Sequence, residues 1–312
     1  MTENHRTKNA LLPLREAIEA FILDGKARRL SPFTLGIYRE KLTHFLAWAA
    51  SQNIETLAHV DARALRLYLV HLQETGHNPG GVHTHARILR AWLYFLEAEG
   101  LIPESPMRRV KMPKLPHPMP DALTREEVAA LLGAAQHSRD VALVLALLDT
   151  GARISEFVAL NVGDVDASGA VRIRHGKGDR ERTVYLGYKA LKALRRWLWE
   201  REDDFTDASP LWTSLRHPER GTRLTSNAVR LILVRLGERA NLKRRISPHM
   251  FRRTFALWAL RSGMDIYTLA KLMGHSSINT LRHYLAIADV DTAAAHRRYG
   301  PVDGYLSQEE EI

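Results

Sequence analysis

Apolar residues recur at helical spacing over most of this chain, and the interruptions between those runs mark out its elements. Residues 1 to about 10 are polar. The first run begins at Leu14 and predicts a helix to about Asp24. A second helix follows Ser31-Pro32, with Ile37, Leu42, Phe45, Leu46 and Ala49 recurring along it. A third follows Asp61 and aligns Leu65, Tyr68, Leu69 and Leu72. A fourth covers about Val82 to Glu99, with Ile88, Leu89, Trp92, Phe95 and Leu96 apolar. Gly76 to Gly81 and Gly100 are the breaks. The pattern predicts a small all-helical domain over residues 10–105.

Residues 106–120 read PMRRVKMPKLPHPMP, with five prolines, four basic residues and no acid. Such a stretch cannot continue a helix and stays extended. It reads as a linker, either simply solvated or laid along a polyanion. A second domain is expected over 121–300. Thr124 and Glu127 form a capping box ahead of an apolar run, and helices follow to about Leu148. The pattern then changes. Val171, Ile173, Val184 and Tyr185 flank Gly176-Lys177-Gly178-Asp179, which reads as a β-hairpin. Helices are expected at about 187–202, 225–240, 248–262, 265–273 and 278–287, and residues 301–312 form an acidic tail.

Composition narrows the class. The 312 residues suffice for two ordinary cores, and the apolar share of 45% with 26% charged is that of a soluble globular protein. Lys plus Arg number 45 against 35 Asp plus Glu, a net charge of +10. That balance favours a polyanion but does not separate nucleic acid from an acidic membrane surface. The absence of cysteine excludes disulfides, thiolate zinc sites and a cysteine nucleophile. The N-terminal stretch carries Glu and Arg throughout and is neither a signal peptide nor a membrane span, so a cytoplasmic protein without membrane attachment is expected.

Three segments carry candidate chemistry. In Thr150-Gly-Ala-Arg-Ile-Ser-Glu156, Gly151 breaks one helix, Arg153 opens the next, and Glu156 lies one turn on, placed to orient the guanidinium. An isolated pair of this spacing is more often an ordinary surface ion pair. In Ser247-Pro-His-Met-Phe-Arg-Arg-Thr-Phe255, Ser247 is expected as N-cap, with His249 and Arg252 on one face at the positive end of a helix. Residues 238–261 hold seven Lys or Arg against one Glu, and a solvated basic face accounts equally for Lys243, Arg244 and Arg245. In Met273-Gly-His-Ser-Ser-Ile-Asn-Thr-Leu-Arg-His-Tyr284, Gly274 ends a helix, His275 sits in the turn, and Tyr284 lies along the next helix. A lone tyrosine there would be core; its company argues otherwise. Together with Lys177, these residues form the set needed to hold a phosphodiester and attack it with a phenol.

TGARISE, HMFRRTFA and GHSSINTLRHY resemble the three signature boxes of the tyrosine recombinase (phage integrase) family, and HGKGDRERTVYL resembles its lysine-bearing hairpin. The resemblance, Xer-like in character, covers about residues 10–300. It implies a mainly α fold, with an N-terminal helical, SAM-like core-binding domain. An α+β catalytic domain with a small β-hairpin sheet would follow. It also implies Tyr284 as nucleophile forming a 3′-phosphotyrosine, with Arg153 and Arg252 on the non-bridging oxygens. Lys177 would act as acid toward the leaving 5′ oxygen, His249 as base or positioning group, His275 as a phosphate donor, and Glu156 as support behind them. Arg253 stands where many relatives have a second histidine, a position given no catalytic role here.

The expected activity is site-specific recombination through a Holliday junction, without metal, ATP or any cofactor. It would serve integration, excision, dimer resolution or transposition. A tetramer would assemble on two sites in double-stranded DNA, at the nucleoid, with room for a partner recombinase or accessory protein. Two alternatives share parts of this chemistry: a catalytically silent DNA-binding regulator and a type IB topoisomerase-like enzyme. Thr34, Arg87 and Arg90 are candidate DNA contacts in the helical domain, beside Lys243, Arg244 and Arg245 in the second; exposed helix residues explain the first three as well. His83-Thr-His85 offers two histidines on different sides of a helix with no carboxylate, which does not make a metal site.

Overall fold

A computed structural model describes residues 12–115, 121–174, 181–201 and 203–274. The chain divides into two compact units, Met1–His117 and Pro118–Ile312.

The described helices of the first unit are α1 (Leu14–Ala27), α2 (Pro32–Ser51), α3 (Ala62–Glu74) and α4 (Pro79–Ala98). Their apolar faces close around Leu42, Phe45, Leu65, Tyr68, Leu72 and Trp92, each fully buried. Short polar residues start three of them. Ser31, Asp61 and Asn78 each accept a bond from the backbone N–H three residues on, at 3.1, 2.7 and 2.8 Å. Asn78 with Pro79 moves the start of α4 three residues ahead of the expected Val82, because proline is suited to the first helical position. Gly80 and Gly81 therefore lie inside the first turn rather than in a loop. At the other end, α1 runs on past Asp24 to Ala27, and its Gly25 is buried, with the Leu35 side chain too close for a Cβ.

The second unit surrounds a core of Leu143, Leu147, Phe157, Val171, Val184, Leu194, Trp212, Leu233 and Phe251. Phe157 and Trp212 stack at 4.7 Å between centroids. The described helices are α5 (Arg125–Gly133), α6 (Ser138–Thr150), α7 (Ile154–Ala159), α8 (Tyr188–Trp199), α9 (Ser226–Arg239), α10 (Pro248–Arg261) and α11 (Ile266–Met273). The capping box opens α5, with bonds of 2.8 and 3.2 Å between Thr124 and Glu127. Ser247 occupies the N-cap of α10 but its side chain makes no capping bond; Pro248 at the first helical position supplies the start instead.

Between α7 and α8 lies an antiparallel pair, β1 (Ala170–Ile173) and β2 (Arg182–Tyr185), in register Val171↔Val184 and Ile173↔Arg182. Side chains alternate across a strand. Val184 is buried, so Tyr185 points outward and is 60% exposed, whereas Arg182 shares the inward face with Val184. The turn of the hairpin, the helix expected at 278–287 and the acidic tail lie outside the described residues.

Gly151 is the left-handed end of α6, at φ 54°. A Cβ there would lie 2.3 Å from the Phe255 ring. The backbone conformation and the ring both demand glycine, so Gly151→Ala is expected to lower the unfolding free energy by about 2–4 kcal/mol. Urea denaturation reads this directly, and an unchanged midpoint would refute it.

Candidate active site

The site forms where α6 stops, α7 starts and α11 ends. Gly151 turns the chain so that Arg153 becomes the N-cap of α7. Glu156, in the first turn, reaches back to the Arg153 backbone N–H at 2.9 Å and takes a bond from Arg153 Nη1 at 2.8 Å. From β2, Arg182 donates to both oxygens of the same carboxylate, at 3.1 and 2.6 Å. Glu156 is thus a buried anion held by two guanidinium groups. Burial alone would raise its pKa, but hydrogen bonds from Arg182 and then Arg153 outweigh burial and keep it below the usual carboxylate value.

These arginines meet a second demand. The last carbonyls of a helix have no partner within it and form its negative end. At the end of α11, three consecutive carbonyls accept from three different arginines. Leu272 O takes Arg182 Nε at 2.8 Å, Met273 O takes Arg252 Nη2 at 2.7 Å, and Gly274 O takes Arg153 Nη2 at 3.0 Å. Arg252 also donates to Gly151 O at 2.6 Å, which ties the end of α6 to the end of α11. Gly274 has φ 64°, and a Cβ on it would lie 3.0 Å from Arg182 Nη1, so the guanidinium rests against a bare glycine.

Exposure separates the three cations. The Arg182 side chain is 9% exposed and Arg252 is buried, whereas Arg153 is 29% exposed. Arg153 spends two donors on Glu156 and Gly274, and its fork suits a phosphate. Three cations against one carboxylate leave the cluster net positive. His249 lies in the first turn of α10, one turn before Arg252. The residue as a whole is exposed, yet packing around its ring, then the charges of Arg253 and Arg252, lower its pKa. The imidazole is therefore neutral near pH 7 and able to accept a proton.

Arg153, Glu156 and Arg252 thus come together, with His249 one helical turn from Arg252. Lys177, His275 and Tyr284 lie outside the described residues. Of the candidate polyanion contacts, Arg87, Arg90, Lys243 and Arg245 are exposed, and the Thr34 hydroxyl is 2.9 Å from that of Ser31 at the start of α2. Arg244 is differently employed. It pairs with Glu127 and Asp121 and donates to Ala122 O at 2.7 Å, so it fastens the 121–127 segment to the approach of α10. Sequence reasoning had no view of those carboxylates, more than 100 positions away.

His83 Nδ1 lies 3.0 Å from Pro113 O, while His85 is buried with Nδ1 2.8 Å from the Tyr68 hydroxyl. Burial, then Lys41, His44 and His77, push His85 down to about 4. Among the described residues no group of three or more histidines and carboxylates could hold a metal ion. Nor is any described helix long and apolar enough to cross a membrane.

The residue that sequence reasoning missed is Arg182. The signal was present in the two-residue alternation that puts position 182 on the face of Val184. An arginine on a buried face needs a carboxylate.

A model described as "Phage integrase family" matches residues 121–290 of this chain. The chain belongs to the phage integrase family. A second model, "Phage integrase, N-terminal SAM-like domain", matches residues 18–100. Tyrosine recombinase XerC of Oceanobacillus iheyensis is 31% identical over 281 residues, covering 88% of this chain and 92% of that protein. Tyrosine recombinase XerA of Thermococcus kodakarensis is 33% identical over 276 residues, covering 87% and 90%. Among solved structures, the Tn1549 transposon integrase in complex with transposon right end DNA superposes with a TM-score of 0.73. It is 18% identical, and the match covers 92% of this chain and 99% of that one. This likeness extends the integrase fold to nearly the whole chain.

In this integrase-family site, Glu156→Gln is expected to lower stability by about 3 kcal/mol near neutral pH, because two arginines lose a buried anion. The carboxyl is depressed in the folded state. Its contribution is therefore complete above the unfolded value of about 4.3 and disappears as pH falls through the lower folded value. The gap between wild type and variant in denaturant titrations should be constant near neutrality and close in acid; a gap that widens in acid would contradict the assignment.

Proposed function

We propose that this protein is a site-specific DNA recombinase that cuts and rejoins strands through a covalent bond to Tyr284. The observation that supports it most is the convergence of Arg153 and Arg252 on the turn that leads directly into His275. In this reading the Tyr284 oxygen attacks the scissile phosphorus and the 5′ oxygen leaves. His249 accepts the phenol proton or positions the phosphate, and Lys177 gives a proton to the leaving oxygen. Arg153 and Arg252 bear on the non-bridging oxygens, with His275 as a further donor. A free tyrosine has a pKa of about 10, so only about one in a thousand is ionised at pH 7. Adjacent cations and a neutral imidazole shift that balance toward attack.

The phosphotyrosine ester keeps the bond energy, so a 5′-hydroxyl from the partner strand reverses the step without ATP. The arginines supply the charge that a metal would otherwise bring, and no cofactor enters the scheme. Residues 10–105 serve as a helical DNA-contacting domain and 106–120 as a basic linker, whose first residues are not extended: Pro106–Arg109 forms a 3-10 turn, and Met107 and Val110 are buried in the helical core. Residues 121–300 carry out strand transfer, and 301–312 form an acidic tail. Thr34, Arg87, Arg90, Lys243 and Arg245 are proposed phosphate contacts, which makes binding fall steeply with salt.

Among the structural relatives are a lambda integrase dimer bound to a core site and XerH bound to a palindromic difH substrate. We extend this to an assembly of four protomers on two duplex sites, acting at the nucleoid through a Holliday junction. A silent regulator and a topoisomerase are not favoured, since the named relatives are recombinases and the tyrosine, lysine and arginines of the motif are all present.

A suicide duplex carrying the cognate site, in EDTA, is the direct test. Wild type should form a covalent adduct and Tyr284→Phe none; an adduct with the Phe variant would defeat the assignment. Arg153→Ala and Arg252→Ala should each slow cleavage by about 10²–10³-fold with site binding retained. Arg252→Ala should also lose stability, because the carbonyls of Gly151 and Met273 lose their donor.

A further inference from the structure

Arg182 does more than fill the inward face of a hairpin. Its guanidinium makes the bidentate half of the Glu156 cluster, its Nε holds Leu272 O, and its plane rests on Gly274. Each of these contacts adjoins one made by an arginine of the site. Glu156 is the carboxylate that orients Arg153, and Leu272 precedes the two carbonyls held by Arg252 and Arg153.

Two consequences follow from charge and geometry. If Glu156 faced Arg153 alone, the full pull of a buried carboxylate would fall on that one guanidinium and hold it away from an incoming phosphate. Sharing the carboxylate with a second cation divides that pull. The second consequence concerns placement. The carbonyls of residues 272–274 are fixed relative to one another by the backbone, so Arg182 at Leu272 O sets where Met273 O and Gly274 O present themselves. Arg182 also opens β2, five positions after Lys177 in the chain, and so connects the hairpin's strand to the arginine cluster.

We propose that Arg182 is a positioning residue for strand transfer, acting on the phosphate through the placement and free donors of Arg153. The proposal rests on the recombinase reading above. It predicts a defect that depends on the charge of the non-bridging oxygens, which a merely structural role would not produce.

The experiment is single-turnover cleavage at saturating protein by wild type, Arg182→Lys, Arg182→Gln and, for reference, Arg153→Gln. Each is given a suicide duplex with a normal scissile phosphodiester and one with a methylphosphonate, which carries no charge on the non-bridging atoms. Arg182→Gln should cleave the normal duplex about 10- to 100-fold more slowly than wild type. The deficit should shrink on the methylphosphonate, in parallel with Arg153→Gln, and Arg182→Lys should recover part of the rate. Equal deficits on both substrates, or wild-type rates in both Arg182 variants, overturn the proposal. Should Arg182→Gln fail to fold, the ratio between substrates for Arg182→Lys decides alone.

A second readout needs no cleavage. In heteronuclear spectra of arginine side chains, rotation of the Arg153 terminal nitrogens should slow in Arg182→Gln, where Glu156 bears on Arg153 alone, and slow less in Arg182→Lys; an unchanged signal in both counts against the proposal. An absent wild-type adduct would sink the recombinase reading, and these spectra would still decide whether Arg182 positions Arg153.

Discussion

The carbonyls that α11 leaves unpaired at Leu272, Met273 and Gly274 are the constraint on which the site depends. A helix end buried without partners is costly, and here the partners are three guanidinium groups from three other elements: the start of α7, the strand β2 and the middle of α10. Each arginine is therefore ordered by a structural debt of the fold, before any phosphate arrives. That is how an anion site can be preorganised from long, flexible side chains. The rotamer entropy of the arginines is lost in folding, so their placement does not wait on an anion.

The burial of Glu156 has the same logic. A carboxylate with a 2% exposed side chain is unfavourable by itself, and one arginine would only partly offset it. Two arginines and a backbone N–H satisfy both oxygens and leave an excess of positive charge at the surface of the cluster. The excess is distributed unevenly, because Arg182 and Arg252 are sealed in while Arg153 is partly open.

Much of this could be read from the sequence, for identifiable reasons. Period and caps located the helices, since Ser31, Asp61, Thr124 and Pro248 act through local rules that need no knowledge of the tertiary fold. Arg153, Glu156, His249 and Arg252 were legible because they sit in short motifs with fixed spacing. Arg182 was not, because its role is set by partners 26 and 90 residues away and by the face of a strand only four residues long. Arg244 failed for the same reason in the opposite sense. Its basic surroundings suggested a polyanion contact, whereas Glu127 and Asp121 are brought to it by the packing of α5 against α9 and by the bond from Leu123 N–H to the Thr254 hydroxyl of α10. Local rules read what a residue is; only the fold tells which charge it finds.

The two kinds of positive charge should also respond differently to solution conditions. Exposed Arg87, Arg90, Lys243 and Arg245 interact across water, so salt screens them within about 8–10 Å. The contacts of Arg182 and Arg252 are short, buried and directed at carbonyls or a paired carboxylate, and salt reaches them little. Raising ionic strength therefore weakens the field of these exposed charges while leaving the arginine cluster assembled. The cluster keeps its geometry because the fold's own helix-end carbonyls hold the arginines in place.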